Sequence, residues 1–449
     1  MTPDDIRALA APVPRYTSYP TAPHFHAGVD ATVYGGWLSA LPDNAKLSLY
    51  FHVPFCDTLC WFCGCHTKIT RRYEPVRDYL DALMAETATL GMLVPAPAQV
   101  THIHWGGGSP TMLKPDDIRR LSDATKAAFR LDGSCDFAVE IDPRGLDDAH
   151  MDALVAAGLT RVSIGVQDFD IAVQQAINRI QSVEETRRVV DGFRARGVSS
   201  LNIDAIYGLP HQTRRRLENT LREVVRLRPD RIALFGYAHV PWMKKHMSMI
   251  EEEALADVVE RYHQAELAAA LLVGEGYERI GIDHFALPHD SLAIAARAGT
   301  LQRNFQGYTV DPADALLGLG ASAIGSLPQG YVQNTTATPS YMRAALEGRL
   351  AAERGVALSE EDRLRRAVIE QMMCGLEFST RSLAGADAGL ATALIGEARA
   401  IVNEDTYGFI EPTADGFRVT EAGRPFLRSI AARFDGYLKK QAAKHSLAV

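Results

Sequence analysis

From residue 48 to residue 286 one pattern repeats: a short apolar run rich in β-branched or aromatic residues, a turn, then an amphipathic stretch with helical spacing. This alternation constrains the chain more than any other feature, because strands joined through helices run parallel and the helices must cover the sheet they connect. The runs at 48–53, 100–105, 137–142, 161–167, 201–207 and 231–237 are the expected strands, with helices among others at 117–129, 184–196, 214–227 and 254–272. The fold expected is α/β, a partial (β/α)6 TIM-like barrel. In such a sheet ligands meet the loops that follow the C-terminal ends of the strands. Those positions read His52-Val53-Pro54-Phe55-Cys56, Gly106-Gly107-Gly108-Ser109-Pro110, Glu140-Ile141-Asp142-Pro143, Gln167-Asp168, Asp204 with Tyr207-Gly208-Leu209-Pro210, and Tyr237-Ala238-His239. Polar chemistry therefore converges on one rim.

The ends of the chain differ from its middle. Residues 1–35 hold Pro, Tyr, Thr and His without periodicity and are expected to form an irregular N-terminal arm ahead of a catalytic barrel at 36–345. Residues 346–449 suggest a mainly helical, winged-helix-like domain, with helices at 360–376 and 421–440 and a hairpin at 409–420 turning at Asp415-Gly416. A content of 47% hydrophobic and 23% charged residues is that of a globular protein. The net charge of -8 repels polyanions, so nucleic acid is not the expected partner despite Arg428, Arg433, Lys439 and Lys440 late in the chain. Met1 to Asp5 carry acid in place of base, and no signal-peptide core follows. The best apolar run, 267–273, falls far short of the roughly 20 residues that span a bilayer. A cytoplasmic location with no membrane span is expected.

Four of the six cysteines, Cys56, Cys60, Cys63 and Cys65, crowd into ten positions. In a large chain with no export signal, such crowding points to metal rather than to disulfides. Cys56-x3-Cys60-x2-Cys63 offers three thiolates from one loop, which suits a cubic [4Fe-4S] cluster with one iron left open. An open iron can chelate S-adenosylmethionine and pass an electron into its sulfonium, releasing a 5′-deoxyadenosyl radical. A structural zinc knuckle with Cys65 as fourth ligand competes with this reading. However, Cys63-Gly64-Cys65 is an awkward pair for one tetrahedral ion, and no second C-x2-C pair follows. His102 and His104 alternate on one strand without a third ligand and read as core or hydrogen-bonding groups, and Cys135 and Cys374 as small buried hydrophobes.

The loop, with Phe62 before Cys63, resembles the signature of the radical S-adenosylmethionine superfamily. The stretches Arg15-Tyr16-Thr17-Ser18-Tyr19-Pro20-Thr21, Tyr50-Phe51-His52-Val53-Pro54-Phe55-Cys56, Gly64-Cys65, Ile203-Asp204-Ala205-Ile206-Tyr207-Gly208-Leu209-Pro210 and Arg303-Asn304-Phe305-Gln306-Gly307-Tyr308 extend that likeness over nearly the whole chain. They are similar to the oxygen-independent coproporphyrinogen III oxidase family, also called coproporphyrinogen III dehydrogenases, which serve heme biosynthesis. The resemblance implies a [4Fe-4S] cluster on Cys56, Cys60 and Cys63, and two molecules of S-adenosylmethionine. It implies that Tyr50, Gly107, Glu140 and Ile324 hold the cluster-bound molecule, with Gln306 a further cofactor contact. Phe62, Gly108, Ser109, Gln167, Arg179, Asp204 and Ala238 would hold the second. It sets Cys65, with Tyr50 and His52, at the catalytic centre beside the substrate chamber. The reaction implied is oxidative decarboxylation of two propionates of coproporphyrinogen III to vinyl groups, giving protoporphyrinogen IX. It calls for an electron donor such as flavodoxin or ferredoxin and for an external electron acceptor, and the enzyme is expected to be a monomer.

The residue types suit these roles. A carboxylate such as Asp204 accepts from ribose hydroxyls, the fork of Arg179 matches a carboxylate, and glycines let backbone approach a ligand. A flexible tetrapyrrole bearing carboxylates needs cations and a large apolar cavity, and Arg15, Lys68, Arg71 and Arg72 are the candidate cations. Tyr16, Tyr19 and His24 are expected to make the arm a lid that excludes water from the radical. Two other readings share the barrel. A heme chaperone usually lacks both Cys65 and the arm motif, and a porphyrin-modifying radical methyltransferase is not distinguished by the cysteine loop alone.

Overall fold

In a computed structural model of the protein, which describes residues 1–438, the six apolar runs are parallel strands of one sheet. They are β1 (Lys46–Val53), β2 (Gln99–Gly107), β3 (Arg130–Ile141), β4 (Arg161–Gln167), β5 (Ser200–Tyr207) and β6 (Arg231–Gly236), paired in that order. Helices Glu74–Leu93, Pro115–Ala128, Asp148–Ala157, Val183–Ala195 and Arg214–Arg226 connect successive strands. The helix Val183–Ala195 shows why. Ser182 caps it by accepting from the N–H of Glu185, and Thr186, Val189, Val190 and Phe193 recur at helical spacing and are buried. Strand β4 alternates with period two. Val162, Ile164 and Val166 are buried in the main core, whereas Ser163, Gly165 and Gln167 face the barrel interior and line its cavity.

The sheet is wider than six strands. Strand β9 (Ala315–Leu319) pairs parallel to the free edge of β1, and the antiparallel β10 (Ile324–Leu327), β11 (Gly330–Asn334) and β12 (Ala352–Ala357) continue from it. At the other edge β8 (His284–Ala286) runs antiparallel to β6 and pairs with β7 (Glu278–Ile280). The result is a partial barrel within a twelve-stranded sheet that stays open between β12 and β7.

The C-terminal part combines helices Glu360–Gly375 and Ala388–Glu404 with a small sheet of β13 (Glu377–Ser379), β14 (Ile410–Thr413) and β15 (Gly416–Val419), in keeping with a winged-helix-like module. Met372, Met373, Phe378, Phe417, Leu427 and Phe434 form its core. The single helix expected at 421–440 is instead three short turns, Arg424–Phe426, Leu427–Ala431 and Ala432–Phe434. Gly423 and Pro425 delay its start and Asp435-Gly436 ends it, and Lys439 and Lys440 lie outside the described residues.

The arm is also more ordered than expected. Pro3–Leu9 is a helix opened by a capping box on Thr2, and Ala31–Ser39 starts on the side chain of Asp30. Tyr16 and Tyr19 are 4% and 2% exposed and belong to the C-terminal core. The Tyr16 hydroxyl donates to Asp435 Oδ2 at 3.0 Å, the N–H of Gly436 donates to the Tyr19 hydroxyl at 3.0 Å, and His24 rests on Tyr437. These contacts clasp the arm to the C-terminal core, and the hydroxyls of both buried tyrosines find partners there. Among the described residues no helix is long and apolar enough to cross a membrane.

Candidate active site

The loops after β1 and β2 and the inward residues of β3, β4 and β5 enclose a cavity of about 290 Å³. Its lining brings together Cys56, Cys60, Cys63, Cys65 and Phe62 from the cysteine loop, Gly107 and Gly108, and Glu140, Gln167, Arg179 and Asp204. The glycines are required by a close approach. A Cβ on Gly107, whose φ is +112°, would come within 2.6 Å of the His52 ring, and one on Gly108 within 2.6 Å of the Phe55 carbonyl oxygen. The N–H groups of Gly108 and Ser109 donate to the carbonyls of Val53 and Phe55 at 2.8 and 2.7 Å, which ties the glycine loop to the start of the cysteine loop.

Two carboxylates in this cavity are tuned in opposite directions. Burial works to raise the pKa of Glu140, but His104 Nε2 at 3.2 Å and the N–H of Gly107 at 3.0 Å donate to it and hold it below the ordinary range. Burial prevails at Asp204 and pushes it up to about 6, although Ser163 Oγ and Asn202 Nδ2 donate to it at 2.8 and 2.7 Å. Arg179 is largely committed to the protein. Its Nη1 lies 3.1 Å from Asp142 Oδ2 and 3.6 Å from Cys60 Sγ, its Nη2 donates to the Gly165 carbonyl at 2.7 Å, and its buried Nε is left without a partner.

The thiols face one another. Burial, then Cys63 and Cys60, pushes the Cys56 thiol up to about 12. A hydrogen bond from Cys65 holds Cys63 down to about 7, while Cys65 itself is pushed well above the ordinary thiol range by the same contact. Among the described residues no three His, Cys, Asp or Glu side chains close on a single ion. Three soft thiol ligands spread around one cavity, with Cys65 beside them, fit a multi-iron cluster.

Tyr50 and His52 do not line this cavity. Burial pushes His52 down to about 4, so its ring is neutral near pH 7. The Nε2–H donates to the His66 carbonyl at 2.9 Å, which leaves Nδ1 to accept from the Tyr50 hydroxyl at 3.1 Å. Tyr50 stacks on His104, whose partner is Glu140, and His102 pairs with Asp311 at 2.9 Å. This relay braces the cysteine loop from behind. Both ring nitrogens of His52 are thereby engaged.

Ser109, Ala238, Gln306 and Ile324 also lie off the cavity wall. Ser109 is buried with its Oγ 2.7 Å from Thr111 Oγ1, and Ala238 follows β6. Gln306 is exposed between the paired Gln302–Asn304 and Gly307–Thr309, and Ile324 opens β10. Asp168, at the same rim in the sequence, is 1% exposed and bonds to Gln212 and Thr220. Lys68, Arg71 and Arg72 are exposed near the loop, and Arg15, also exposed, donates to the Gly236 carbonyl at 3.0 Å. Arg428 is buried and Arg433 pairs with Glu404, so neither offers a free basic face. Sequence reasoning missed Arg144, which shares Asp142 with Arg179, and Ser163. It also missed His246 and Lys244, which donate to the carbonyls of Cys63 and Cys65 at 2.8 Å each. The one available signal was position, since Asp142 and Arg144 follow a strand end.

Residues 50–224 match the radical SAM superfamily. The chain is 47% identical to the oxygen-independent coproporphyrinogen III oxidase of Paracoccus denitrificans, over 98% of this chain and 97% of that one. The chain belongs to the oxygen-independent coproporphyrinogen III oxidase family. A relative of the same name from Pseudomonas aeruginosa is 40% identical over 97% of this chain and 95% of its own. The solved structure of the Escherichia coli coproporphyrinogen III oxidase, a radical SAM enzyme, matches with a TM-score of 0.89 at 36% identity, covering 94% of this chain and 97% of that one. As a member of this family the protein is a radical SAM oxidoreductase of heme biosynthesis, and its cofactors are a [4Fe-4S] cluster and S-adenosylmethionine.

Proposed function

We propose that Cys56, Cys60 and Cys63 hold the cluster and that the cavity they share with Cys65 carries out the oxidative decarboxylation of two propionates of coproporphyrinogen III to vinyl groups. The observation behind this reading is the single cavity itself, in which three thiols, a fourth thiol and two oppositely tuned carboxylates converge. Cys56, Cys60 and Cys63 would hold the cluster, which when bound would supply the electron for reductive cleavage of S-adenosylmethionine and so the hydrogen-abstracting chemistry needed at the β-carbon of a propionate. The substrate then loses carbon dioxide and one electron, which passes to an external acceptor.

The protein's own groups bind and position. Glu140, held ionised, accepts from the bound cofactor, and Asp204 accepts from ribose hydroxyls of a second S-adenosylmethionine when it is deprotonated. Arg179 offers its Nε to a carboxylate, and the glycine loop brings backbone within reach of the methionine end. Cys65, protonated near pH 7, stands where its thiol can exchange a hydrogen atom or an electron with the substrate. Tyr50 and His52 position the loop. The enzyme acts in the cytoplasm as a monomer, served by a flavodoxin or ferredoxin.

Anaerobic reconstitution with iron and sulfide, followed by reductant, S-adenosylmethionine and coproporphyrinogen III, tests this. Protoporphyrinogen IX and two 5′-deoxyadenosines per product are expected. Radical formation with every carboxyl group retained would overturn the substrate assignment.

A further inference from the structure

Two guanidinium groups converge on the sulfur of Cys60. Arg144 Nη2 lies 3.8 Å and Arg179 Nη1 3.6 Å from its Sγ, both within reach of a sulfur acceptor. The arginines come from different strand ends, and Asp142, which follows β3, clamps them together. Its Oδ1 accepts from the N–H of Arg144 at 3.1 Å and from Arg144 Nε at 3.0 Å. Its Oδ2 accepts from Arg144 Nη2 at 2.6 Å and from Arg179 Nη1 at 3.1 Å. Arg179 Nη2 is fixed in turn by the Gly165 carbonyl of β4 at 2.7 Å.

The segment that carries Arg179 is joined to the same stretch of the cysteine loop. The N–H of Trp61 donates to the Ile177 carbonyl at 3.0 Å, and Asn178 Nδ2 donates to the Leu59 carbonyl at 2.8 Å. Leu59, Cys60 and Trp61 are thus each met by one residue of 177–179. A single arginine would suffice to pair Asp142, since the Arg144 fork reaches both of its oxygens. A second guanidinium, only 7% exposed, is nevertheless brought to the same carboxylate. Burying a second like charge is costly unless acceptors share it, and Cys60 Sγ is an acceptor that both arginines share. Asp57 on the loop adds a carboxylate near Arg144, so the effect on Cys60 comes from N–H groups directed at its sulfur and not from net charge. Cys63 is engaged by Cys65 instead. Hydrogen bonds to the sulfurs of a cluster draw electron density from them and favour its reduced form. The rigid forks of arginine hold such donors in place.

We infer that Arg144 and Arg179, clamped by Asp142, form a two-donor cap on Cys60 that raises the reduction potential of the cluster this cysteine would hold. The cap makes the cluster easier for an electron donor to reduce. This deepens the proposed function and rests on Cys60 as a cluster ligand. Arg144 acts through Cys60, as a positioning residue.

The test is a potentiometric titration of the full chain with its cluster reconstituted anaerobically, with titanium(III) citrate as reductant and the paramagnetic signal of the reduced cluster as readout. R144Q leaves Arg179 its bonds to Asp142 and Gly165, and should disfavour reduction by about tenfold, about 59 mV for one electron, with iron content unchanged. R144K keeps the charge without the fork and should disfavour it by about threefold. R349Q, in an exposed pair with Glu347, should titrate as the parent does. An unchanged potential in R144Q, or in R144K should R144Q not load iron, would overturn the inference. Loss of iron from both would overturn it too, because Arg144 would then hold the loop and not the potential. The two readings fail separately. A shifted potential with every propionate retained in turnover removes the proposed reaction only, whereas decarboxylation with a parent-like potential in the variants removes the cap only.

Discussion

The cysteine loop draws Cys56, Cys60, Cys63 and Cys65 from ten consecutive positions, whereas the clasp joins Tyr16 and Tyr19 of the arm to Asp435 and Gly436, 419 and 417 positions further on. The first is shaped by the end of β1, the glycine loop behind it and the Tyr50–His52–His66 relay, all within the barrel. The second fixes the arm to the C-terminal core, in which Tyr16 and Tyr19 are buried. The first is therefore a self-contained part of the barrel, and the second is an assembly of distant parts. Mutations in the two regions should separate along that line.

The largest effect is expected at the cluster. Cys60→Ala should remove most of the bound iron and cut turnover at least about a thousandfold, about 4 kcal/mol of lost transition-state stabilisation, with porphyrin binding retained. Iron analysis beside coproporphyrin titration checks it. Glu140→Gln removes an ionised acceptor from Gly107 and His104, and should weaken S-adenosylmethionine binding by about tenfold to a hundredfold, measured calorimetrically on the reconstituted protein.

Asp204 gives a pH-dependent intermediate case. Its pKa is raised from 3.8 to about 6 in the fold, so its contribution to stability is full below about pH 4 and is lost as the pH rises through 6. Asp204→Asn should accordingly raise the melting temperature by a few degrees near pH 8 and by much less near pH 4. Binding of a second S-adenosylmethionine should weaken below about pH 6 in the parent as the carboxylate protonates, and lose that dependence in the variant. The smallest effect is expected at the clasp. Tyr16→Phe gives up one hydrogen bond to Asp435, which keeps bonds from the N–H groups of Tyr437 and Leu438, and should cost about 1–2 kcal/mol. Its signature is a several-fold rise in KM for the porphyrinogen with unchanged iron content, and loss of iron instead would erase the contrast between the two regions.

What the sequence revealed follows the same division. The strand at 161–167 is found at Arg161–Gln167, because its apolar and small residues alternate cleanly, and Cys56, Cys60, Cys63 and Cys65 are found in one cavity because one loop carries them. Strand β3 begins at Arg130 instead of residue 137, since Arg130 to Asp136 are mostly polar and include Gly133. The flanking strands β7 to β11 escaped notice because they are three to five residues long and several are buried throughout. Lys244 and His246 gave no local signal, since what makes them notable is the company that tertiary folding gives them, at the carbonyls of Cys65 and Cys63.

The most direct test of the account follows the hydrogen atom. Coproporphyrinogen III carrying deuterium at the β-carbons of its propionates is turned over anaerobically by the reconstituted protein, and 5′-deoxyadenosine and carbon dioxide are both quantified. The account predicts one deuterium in each 5′-deoxyadenosine and one carbon dioxide released with it. Unlabelled 5′-deoxyadenosine with no carbon dioxide would contradict it.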